Sequence, residues 1–263
     1  MHKWLFLAAT LGSLATASQA ALQKGAGNAQ KPTIILVHGA FAGSSSWTPV
    51  ISQLAKDGFP VIAAANPLRS LKGDAEYVAQ IVKSIPGPVV LVGHSYAGSV
   101  VSMAAVGQSN VKALVFVAGF APLPGESPVS LGKQFPTGTL GETLAPPVKL
   151  LDGNEDLYIT QAKYWKQFAA DVPQSDAIVM ASTQRPITSA GLGEGAGPVA
   201  WDRLPSWFVW GAEDRNIPAA LHAFMARRAH AKEAVAVPGA SHVVMLTHSK
   251  QVADMIERAA LAK

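Results

Sequence analysis

Along most of the chain, short apolar runs alternate with longer segments of helical periodicity. Six runs have the length and composition of strands: 33–37, 61–64, 89–92, 113–118, 207–210 and 234–237. Because these runs are apolar at nearly every position, they predict strands that are buried on both faces. Such strands belong to a parallel sheet whose crossover helices cover both sides. The pattern therefore predicts an α/β fold, with a doubly wound, mostly parallel six-stranded sheet flanked by helices.

Three further segments predict helices of the core. Residues 74–85 carry apolar side chains at three- and four-residue spacing, as an amphipathic crossover helix does. Residues 95–106 are small and apolar on nearly every side, which is typical of a helix buried at the centre of a domain. Residues 249–262 predict a closing helix with one apolar face.

The alternation of strands and helices breaks at about residues 122–205, where Pro and Gly are frequent. Only two helices are predicted there, at 157–170 and 174–183. An insertion of this length inside a compact domain is usually functional. Ligands of open α/β sheets bind at the carboxyl ends of the strands, where this insertion would lie. We therefore expect a lid.

Composition narrows the class of protein. Hydrophobic residues make up 49% of the 263 residues and charged residues 14%, which favours an ordered globular domain over disorder. The formal net charge is +4, but basic residues never form a run of five or six, so nucleic acid is not an expected partner. The absence of cysteine excludes disulfides, a thiolate nucleophile and Cys-ligated zinc.

The first twenty residues have the pattern of a secretory signal peptide. Lys3 carries a positive charge, residues 4–14 form an apolar stretch, and small side chains favour cleavage after Ala20. The apolar stretch is shorter than the roughly 20 residues that cross a bilayer, so a stable membrane anchor is not expected. We expect a periplasmic or secreted protein, with a flexible lead-in at 21–31 and the mature domain at 32–263.

A candidate nucleophile lies where the third apolar run meets the buried helix. The segment Val89-Val90-Leu91-Val92-Gly93-His94-Ser95-Tyr96-Ala97-Gly98 predicts a strand, a sharp turn and a helix, with Ser95 at the turn. An isolated serine there would more often be a helix N-cap, but the three elements together are typical of a nucleophile elbow. The motif departs from G-x-S-x-G because Ala97 replaces the last glycine.

A serine nucleophile needs a base and an acid that orients the base, and in this arrangement the acid precedes the histidine along the chain. The fifth apolar run leads into a loop with Glu213 and Asp214, and the sixth leads into a loop with His242. We expect His242 to accept the proton of Ser95, and Asp214 to orient His242. Glu213 is the alternative acid. The other histidines of polar helical stretches are expected at the surface: His222, His230 and His248.

The loop after the first run, His38-Gly39-Ala40-Phe41, is suited to stabilise a transition state. Ester cleavage places negative charge on the former carbonyl oxygen, and two fixed backbone N–H groups can bind it. We assign this oxyanion hole to the N–H groups of Ala40 and Tyr96. Gly39 lets the loop come close without a side chain, and His38 is expected to hold the loop rather than act as a second base.

Together these segments resemble the α/β-hydrolase superfamily, and more narrowly small bacterial carboxylesterases and the plant methyl esterases and hydroxynitrile lyases. The resemblance spans residues 33–262 and is strongest at the loops that carry Ser95, Asp214 and His242. It implies an eight-stranded family sheet shortened here to six strands. It also implies a triad that hydrolyses a carboxylic ester through an acyl-enzyme on Ser95, without a cofactor or metal.

Two other functions stay open from the sequence. The hydroxynitrile lyase branch has a lysine after the catalytic histidine and a threonine after the first histidine of the loop, where this chain has Val243 and Gly39. A non-catalytic ligand-binding protein could share the fold, because a fold alone does not prove chemistry. Branches of the superfamily with an aspartate nucleophile are excluded by Ser95.

Aromatic residues of the lid and of the first loop indicate a small-molecule ester with an apolar or aromatic group. We expect Phe41 and Trp165 to contact this substrate. Aromatic residues with the same expected setting are Trp47, Phe135, Tyr158, Tyr164 and Phe168. Packing is the alternative role for all of them, because aromatic side chains dominate protein cores. The sequence gives no indication of oligomeric state.

Overall fold

The computed structural model describes residues 31–135 and 137–262, so the predicted signal peptide and residues 21–30 of the lead-in lie outside the described residues. The strands are β1 (Thr33–Val37), β2 (Val61–Ala64), β3 (Val89–His94), β4 (Val111–Val117), β5 (Val148–Lys149), β6 (Glu155–Leu157), β7 (Ile187–Thr188), β8 (Ser206–Gly211) and β9 (Glu233–Val237). The helices are α1 (Thr48–Lys56), α2 (Leu71–Lys83), α3 (Ala97–Ala104), α4 (Pro128–Gln134), α5 (Gln161–Phe168), α6 (Gln174–Thr183), α7 (Ser189–Gly193), α8 (Ala219–Arg228), α9 (Val244–Thr247) and α10 (Ser249–Leu261).

Six strands form one parallel sheet in the order β2-β1-β3-β4-β8-β9, which confirms the predicted doubly wound architecture. The inner strands β1 and β3 are buried at every position, because each has a strand on both sides. The edge strand β9 differs, since Ala234 and Ala236 are exposed. The prediction of burial on both faces is therefore wrong for β9, because the face of the strand that carries Ala234 and Ala236 is exposed.

Helices pack on the sheet and against one another. α3 contacts β3 and β4, α8 contacts β8 and β9, and α10 crosses β3, β4 and β8. The helix α2 begins three residues before its predicted start, because the Ser70 hydroxyl accepts a hydrogen bond from the N–H of Gly73 and caps the first turn. α3 begins two residues after its predicted start, because Ser95 and Tyr96 belong to the turn.

The insertion between β4 and β8 holds α4 to α7 and a small antiparallel sheet in the order β5-β6-β7. α6 has the predicted bounds, and α5 lies inside the predicted segment 157–170. The antiparallel sheet was not expected, because strands of two or three residues are too short to show periodicity. Among the helices that the structure describes, none is both long and apolar enough to cross a membrane.

The strand order brings distant segments to one edge of the sheet. Parallel strands place their carboxyl ends on the same side, so the loops after β1, β3, β8 and β9 meet there. β1 has β2 on one side and β3 on the other, and the chain reverses its direction of winding at this point. Open α/β sheets bind ligands at such a reversal. Ser95 follows β3 at this position.

Candidate active site

Ser95 occupies a strained turn directly after β3. Its φ is +56°, a left-handed conformation that a residue with a side chain adopts rarely and at a cost of about 1 kcal/mol or more. The turn is held because the Ser95 carbonyl accepts hydrogen bonds from the N–H groups of Gly98 and Phe120, at 3.0 and 3.1 Å. Strain that the surroundings maintain in this way is common at functional sites. The elbow geometry predicted from the sequence is thus present.

Close packing explains which glycines the elbow needs. A Cβ at Gly93 would lie 2.5 Å from the carbonyl oxygen of Ala97, and a Cβ at Gly98 would lie 2.7 Å from the backbone nitrogen of Phe120. Both distances are too short for real atoms, so neither position accepts a side chain. Ala97 itself is fully buried in the core, so the departure from the usual motif leaves the elbow intact.

The loop after β8 turns the Asp214 carboxylate towards the loop after β9. Oδ2 of Asp214 lies 2.7 Å from Nδ1 of His242, and both side chains are buried. Oδ1 accepts hydrogen bonds from the backbone N–H groups of Asn216 and Ile217, at 2.8 and 3.0 Å. The alternative acid Glu213 is exposed. The carboxylate that contacts the imidazole is therefore that of Asp214.

The electrostatic surroundings keep Asp214 ionised. Burial alone would raise the pKa of Asp214, but hydrogen bonds from His242 and His222 and their favourable interaction with its charge hold that pKa well below its usual range. A carboxylate in this state fixes the proton of His242 on Nδ1 and leaves Nε2 available to accept a proton.

His222 contradicts its predicted surface position. Its side chain is 1% exposed, and its Nε2 lies 3.1 Å from Oδ2 of Asp214. His230 is exposed and His248 is partly exposed, as expected. The signal for His222 was present in the sequence, because Leu221 and Met225 place this part of α8 on an apolar helical face.

Ser95 and His242 line the same cavity, which has a volume of about 450 Å³. Both side chains are buried beside this space. Among the described residues, no hydrogen bond joins the Ser95 hydroxyl to His242. Catalytic hydrogen bonds are often long in the absence of substrate and shorten when it binds. The structure thus brings the predicted nucleophile and base to one cavity.

The loop after β1 lies directly against the nucleophile. A Cβ at Gly39 would be 2.6 Å from Cβ of Ser95, so only glycine fits there. The N–H groups of Ala40 and Tyr96 have no hydrogen-bond partner in the part of the chain that the structure describes, and both residues line the cavity with Ser95. Two unpaired donors beside a serine hydroxyl are suited to bind an oxyanion.

The lid holds the first loop in place. Phe41 has a φ of +59°, and its N–H donates to the carbonyl of Arg185 at 2.9 Å. The hydroxyl of Tyr164 on α5 donates to the Phe41 carbonyl at 2.8 Å. The backbone that carries the N–H of Ala40 is therefore connected to two separate parts of the lid.

Two buried histidines contact the backbone of the loops that form the site. Nδ1 of His38 lies 2.9 Å from the carbonyl oxygen of Gly39, and burial lowers the pKa of His38 to about 4, so this imidazole is neutral and holds the loop as expected. Nε2 of His94 lies 3.1 Å from the carbonyl oxygen of His242. Sequence reasoning assigned no role to His94, because its contact depends on how β3 and the last loop meet.

A buried pair fixes the side chain of Tyr96. Its hydroxyl donates to Oδ2 of Asp74 at 2.9 Å, and Oδ1 of Asp74 accepts the backbone N–H of Arg69. Burial raises the pKa of the Asp74 carboxyl. The side chain of Tyr96 is thus anchored to Asp74, while the residue lines the cavity beside Ser95.

Comparison with known proteins agrees with this architecture. A model of the alpha/beta hydrolase family matches residues 34–255. The chain belongs to the α/β-hydrolase family. The α/β-hydrolase nvfD of Aspergillus novofumigatus (strain IBT 16806) is 26% identical over 253 residues, which cover 88% of this chain and 97% of that protein.

Solved structures share the fold of this hydrolase. Polyneuridine aldehyde esterase superposes with a TM-score of 0.77 at 18% identity, covering 87% of this chain and 98% of its own. An extracellular α/β-hydrolase from a Paenibacillus species gives a TM-score of 0.71 at 20% identity, covering 88% of this chain and 99% of its own.

The wall of the hydrolase cavity is mostly apolar. Its larger side chains include Phe120, Phe135, Leu144, Phe168, Leu192 and Ile217. Lys133 and His242 are the basic residues among the lining residues, and no acidic residue lines this cavity within the described part of the chain. The cavity therefore favours an apolar ligand that meets polar groups mainly at the nucleophile.

The two predicted substrate contacts have different outcomes. Phe41 lines the cavity and also borders a second depression of about 650 Å³. Trp165 is not among the residues that line the cavity with Ser95. Its indole N–H donates to the carbonyl of Val172 at 3.0 Å, and its ring borders a separate depression between α5 and α6. The structure therefore places Trp165 within the lid, apart from the residues that line the cavity with Ser95.

Proposed function

We propose that the protein is a serine esterase that cleaves a carboxylic ester through an acyl-enzyme intermediate on Ser95. The observation that carries this proposal is the joint geometry of three loops. One apolar cavity is bordered by a strained serine, by an imidazole paired with a buried carboxylate, and by two N–H groups that have no partner among the described residues. These are the parts that acyl transfer needs.

In the proposed first half-reaction, Oγ of Ser95 attacks the ester carbonyl carbon while Nε2 of His242 accepts the hydroxyl proton. The negative charge that develops on the carbonyl oxygen is bound by the N–H groups of Ala40 and Tyr96, each contributing about 3 kcal/mol. His242 then returns its proton to the leaving alcohol oxygen as the C–O bond breaks. Asp214 keeps His242 oriented and stabilises the imidazolium.

In the second half-reaction, water attacks the acyl carbon and gives one proton to His242. Collapse of the second tetrahedral intermediate breaks the bond to Oγ of Ser95, which takes back the proton from His242. The products are a carboxylic acid and an alcohol. Every proton in this sequence passes through His242, so the chain's own residues supply the whole reaction.

The proposed substrate is a small-molecule ester with an apolar or aromatic group. A cavity of about 450 Å³ lies in the size range of small-ligand sites, and its wall offers mainly aliphatic and aromatic carbon. The similar polyneuridine aldehyde esterase is an esterase by name, which supports the same reaction type here. A panel of esters varied separately in acyl and alcohol length would define which side fills the cavity.

A lyase reaction on cyanohydrins fits the site less well. The threonine of that branch would stand at Gly39, where even a Cβ would lie 2.6 Å from Cβ of Ser95. We expect no release of cyanide from mandelonitrile, and its release would restore the lyase hypothesis. Comparing the turnover of Ser95→Ala with that of the wild type separates catalysis from a purely ligand-binding role.

The test uses a short-chain nitrophenyl ester. We expect Ser95→Ala and His242→Ala each to lower kcat/KM by about 10⁴-fold or more, and the double variant to be no worse than either, because the residues act as a unit. Ser175→Ala is the matched control, since Ser175 is exposed on α6 and should leave the activity unchanged. Turnover that survives Ser95→Ala would end the proposal.

We also propose export of the protein. The pattern of residues 1–20 supports it, and the similar Paenibacillus hydrolase is described as extracellular. N-terminal sequencing of the protein recovered outside the cytoplasm should begin at Ala21. Recovery of the chain only from the cytoplasm, beginning at Met1, would contradict this proposal.

A further inference from the structure

A second histidine contacts the carboxylate that orients His242. Nε2 of His222 lies 3.1 Å from Oδ2 of Asp214, and the same oxygen lies 2.7 Å from Nδ1 of His242. The other oxygen, Oδ1, accepts the backbone N–H groups of Asn216 and Ile217. Asp214 therefore accepts four hydrogen bonds, two on each oxygen, and His222 supplies one that the established triad arrangement does not require.

Burial determines the protonation of this contact. Burial lowers the pKa of His222, and the pKa of Asp214 lies well below its usual range, because the contacts with His242 and His222 outweigh its own burial. At neutral pH the pair is therefore a neutral imidazole and a carboxylate. The ring nitrogen that faces the oxygen must carry the proton, so Nε2 of His222 is the donor.

No other charge competes closely with this pair among the described residues. His94 faces His242 from β3, with ring centroids 4.8 Å apart, and burial lowers its pKa so that it is neutral. On the loop that carries Asp214, the side chains of Glu213 and Arg215 are exposed to solvent. The charge of the carboxylate is thus divided between the two imidazoles and two backbone groups.

Packing against β8 fixes the orientation of the His222 ring. The helix α8 lies on β8, and the His222 ring stacks on Trp210 of that strand, with centroids 5.5 Å apart and planes 23° apart. The ring is 1% exposed. Because stacking fixes the plane of the imidazole, Nε2 stays directed at Asp214 without help from solvent.

We propose that His222 is a positioning residue of the esterase, whose Nε2–H fixes the Asp214 carboxylate and weakens the pull of that carboxylate on the Nδ1 proton of His242. The proposal rests on the proposed function. A carboxylate shared with His222 stabilises the imidazolium form of His242 less than an unshared one.

The test compares three variants over a range of pH with a nitrophenyl ester. His222→Phe keeps a ring to stack on Trp210 and removes the donor, whereas His222→Gln keeps an N–H at the position of Nε2. His230→Asn is the control, because His230 is exposed and its φ of +47° suits asparagine.

We expect His222→Phe to move the acid limb of kcat/KM to higher pH by about half to one unit, which corresponds to a three- to tenfold loss at the acid end. Its kcat should also fall about tenfold with KM unchanged, because a less constrained carboxylate orients the base less well. His222→Gln should have a kcat and a pH profile close to those of the wild type, and His230→Asn should have those of the wild type. If the Phe variant does not fold, His222→Met removes the donor with an unbranched side chain.

A proton NMR measurement gives the second readout without any substrate. The Nδ1 proton of His242 should move to lower field in His222→Phe, since its bond to Asp214 loses a competitor, and should stay in place in His222→Gln. Equal impairment of the Phe and Gln variants, or a Phe variant with wild-type profile and resonance, would overturn the proposal. If the wild-type protein hydrolyses no ester, the esterase proposal fails, but the NMR comparison still tests whether His222 positions Asp214. Failure of the proposed function can therefore be distinguished from failure of the proposed role of His222.

Discussion

Replacing Gly39 by alanine would separate the oxyanion loop from the nucleophile. The new Cβ would lie 2.6 Å from Cβ of Ser95 and 2.7 Å from the carbonyl oxygen of His94. Ordinary carbon contacts need about 3.5 Å, so the loop must retreat by about 1 Å. The N–H of Ala40 moves with it, and a displacement of this size at a reacting centre lowers the rate by about 100-fold.

The assay for this prediction is steady-state hydrolysis of a nitrophenyl ester together with thermal unfolding. We expect kcat of Gly39→Ala to fall about 100-fold or more while the protein stays folded. This fall is similar to the one caused by removing a single N–H donor from an oxyanion hole. Gly43→Ala is the matched control in the same loop, because its Cβ would have no neighbour closer than 3.6 Å and its φ of −134° suits any residue. A Gly39→Ala enzyme with wild-type kcat would refute the reasoning.

Three further predictions concern the acid, the lid and pH. Asp214→Asn should lower kcat about 10⁴-fold by allowing the wrong tautomer of His242, whereas Glu213→Gln should keep wild-type activity; the reverse result would exchange their roles. Tyr164→Phe removes the hydrogen bond to the Phe41 carbonyl, so it should lower the free energy of unfolding by about 1 kcal/mol and reduce kcat; unchanged melting and kcat would count against a lid that holds the loop. Burial lowers the pKa of His38 to about 4, and the unfolded chain binds a proton there below about pH 6.5. His38 should therefore contribute a fall in stability of up to about 3 kcal/mol between pH 6.5 and 4, in addition to the falls from the buried His94 and His222. The fall measured by urea unfolding should be smaller in His38→Gln by that amount, and an equal fall in the variant and the wild type would contradict the assignment.

Local sequence patterns were enough to predict β1, β2 and the turn that carries Ser95. β1 and β2 have the predicted bounds, because an apolar run between polar or glycine-containing segments has clear ends in the sequence. The elbow at Ser95 was predictable for the same reason, since a buried strand, a turn and a small-residue helix follow one another without interruption.

Contacts between distant segments could not be predicted in this way. His222 was expected at the surface because its helical stretch is polar, and its contact with Asp214 forms only when α8 packs on β8. Trp165 was expected at the substrate, because an aromatic residue in a lid has the same sequence pattern whether it faces the cavity or the neighbouring helix. The short strands β5 to β7 depend on pairing with one another rather than on their own sequences.

The most direct test of the proposed mechanism is covalent labelling of the folded protein with a fluorophosphonate, followed by peptide mass spectrometry. The reagent reacts with a serine hydroxyl only where a base activates it and N–H groups bind the developing charge. We predict a single adduct on Ser95, lost in His242→Ala and absent after denaturation. A folded protein that stays unlabelled, or that carries its adduct on another serine, would contradict the mechanism.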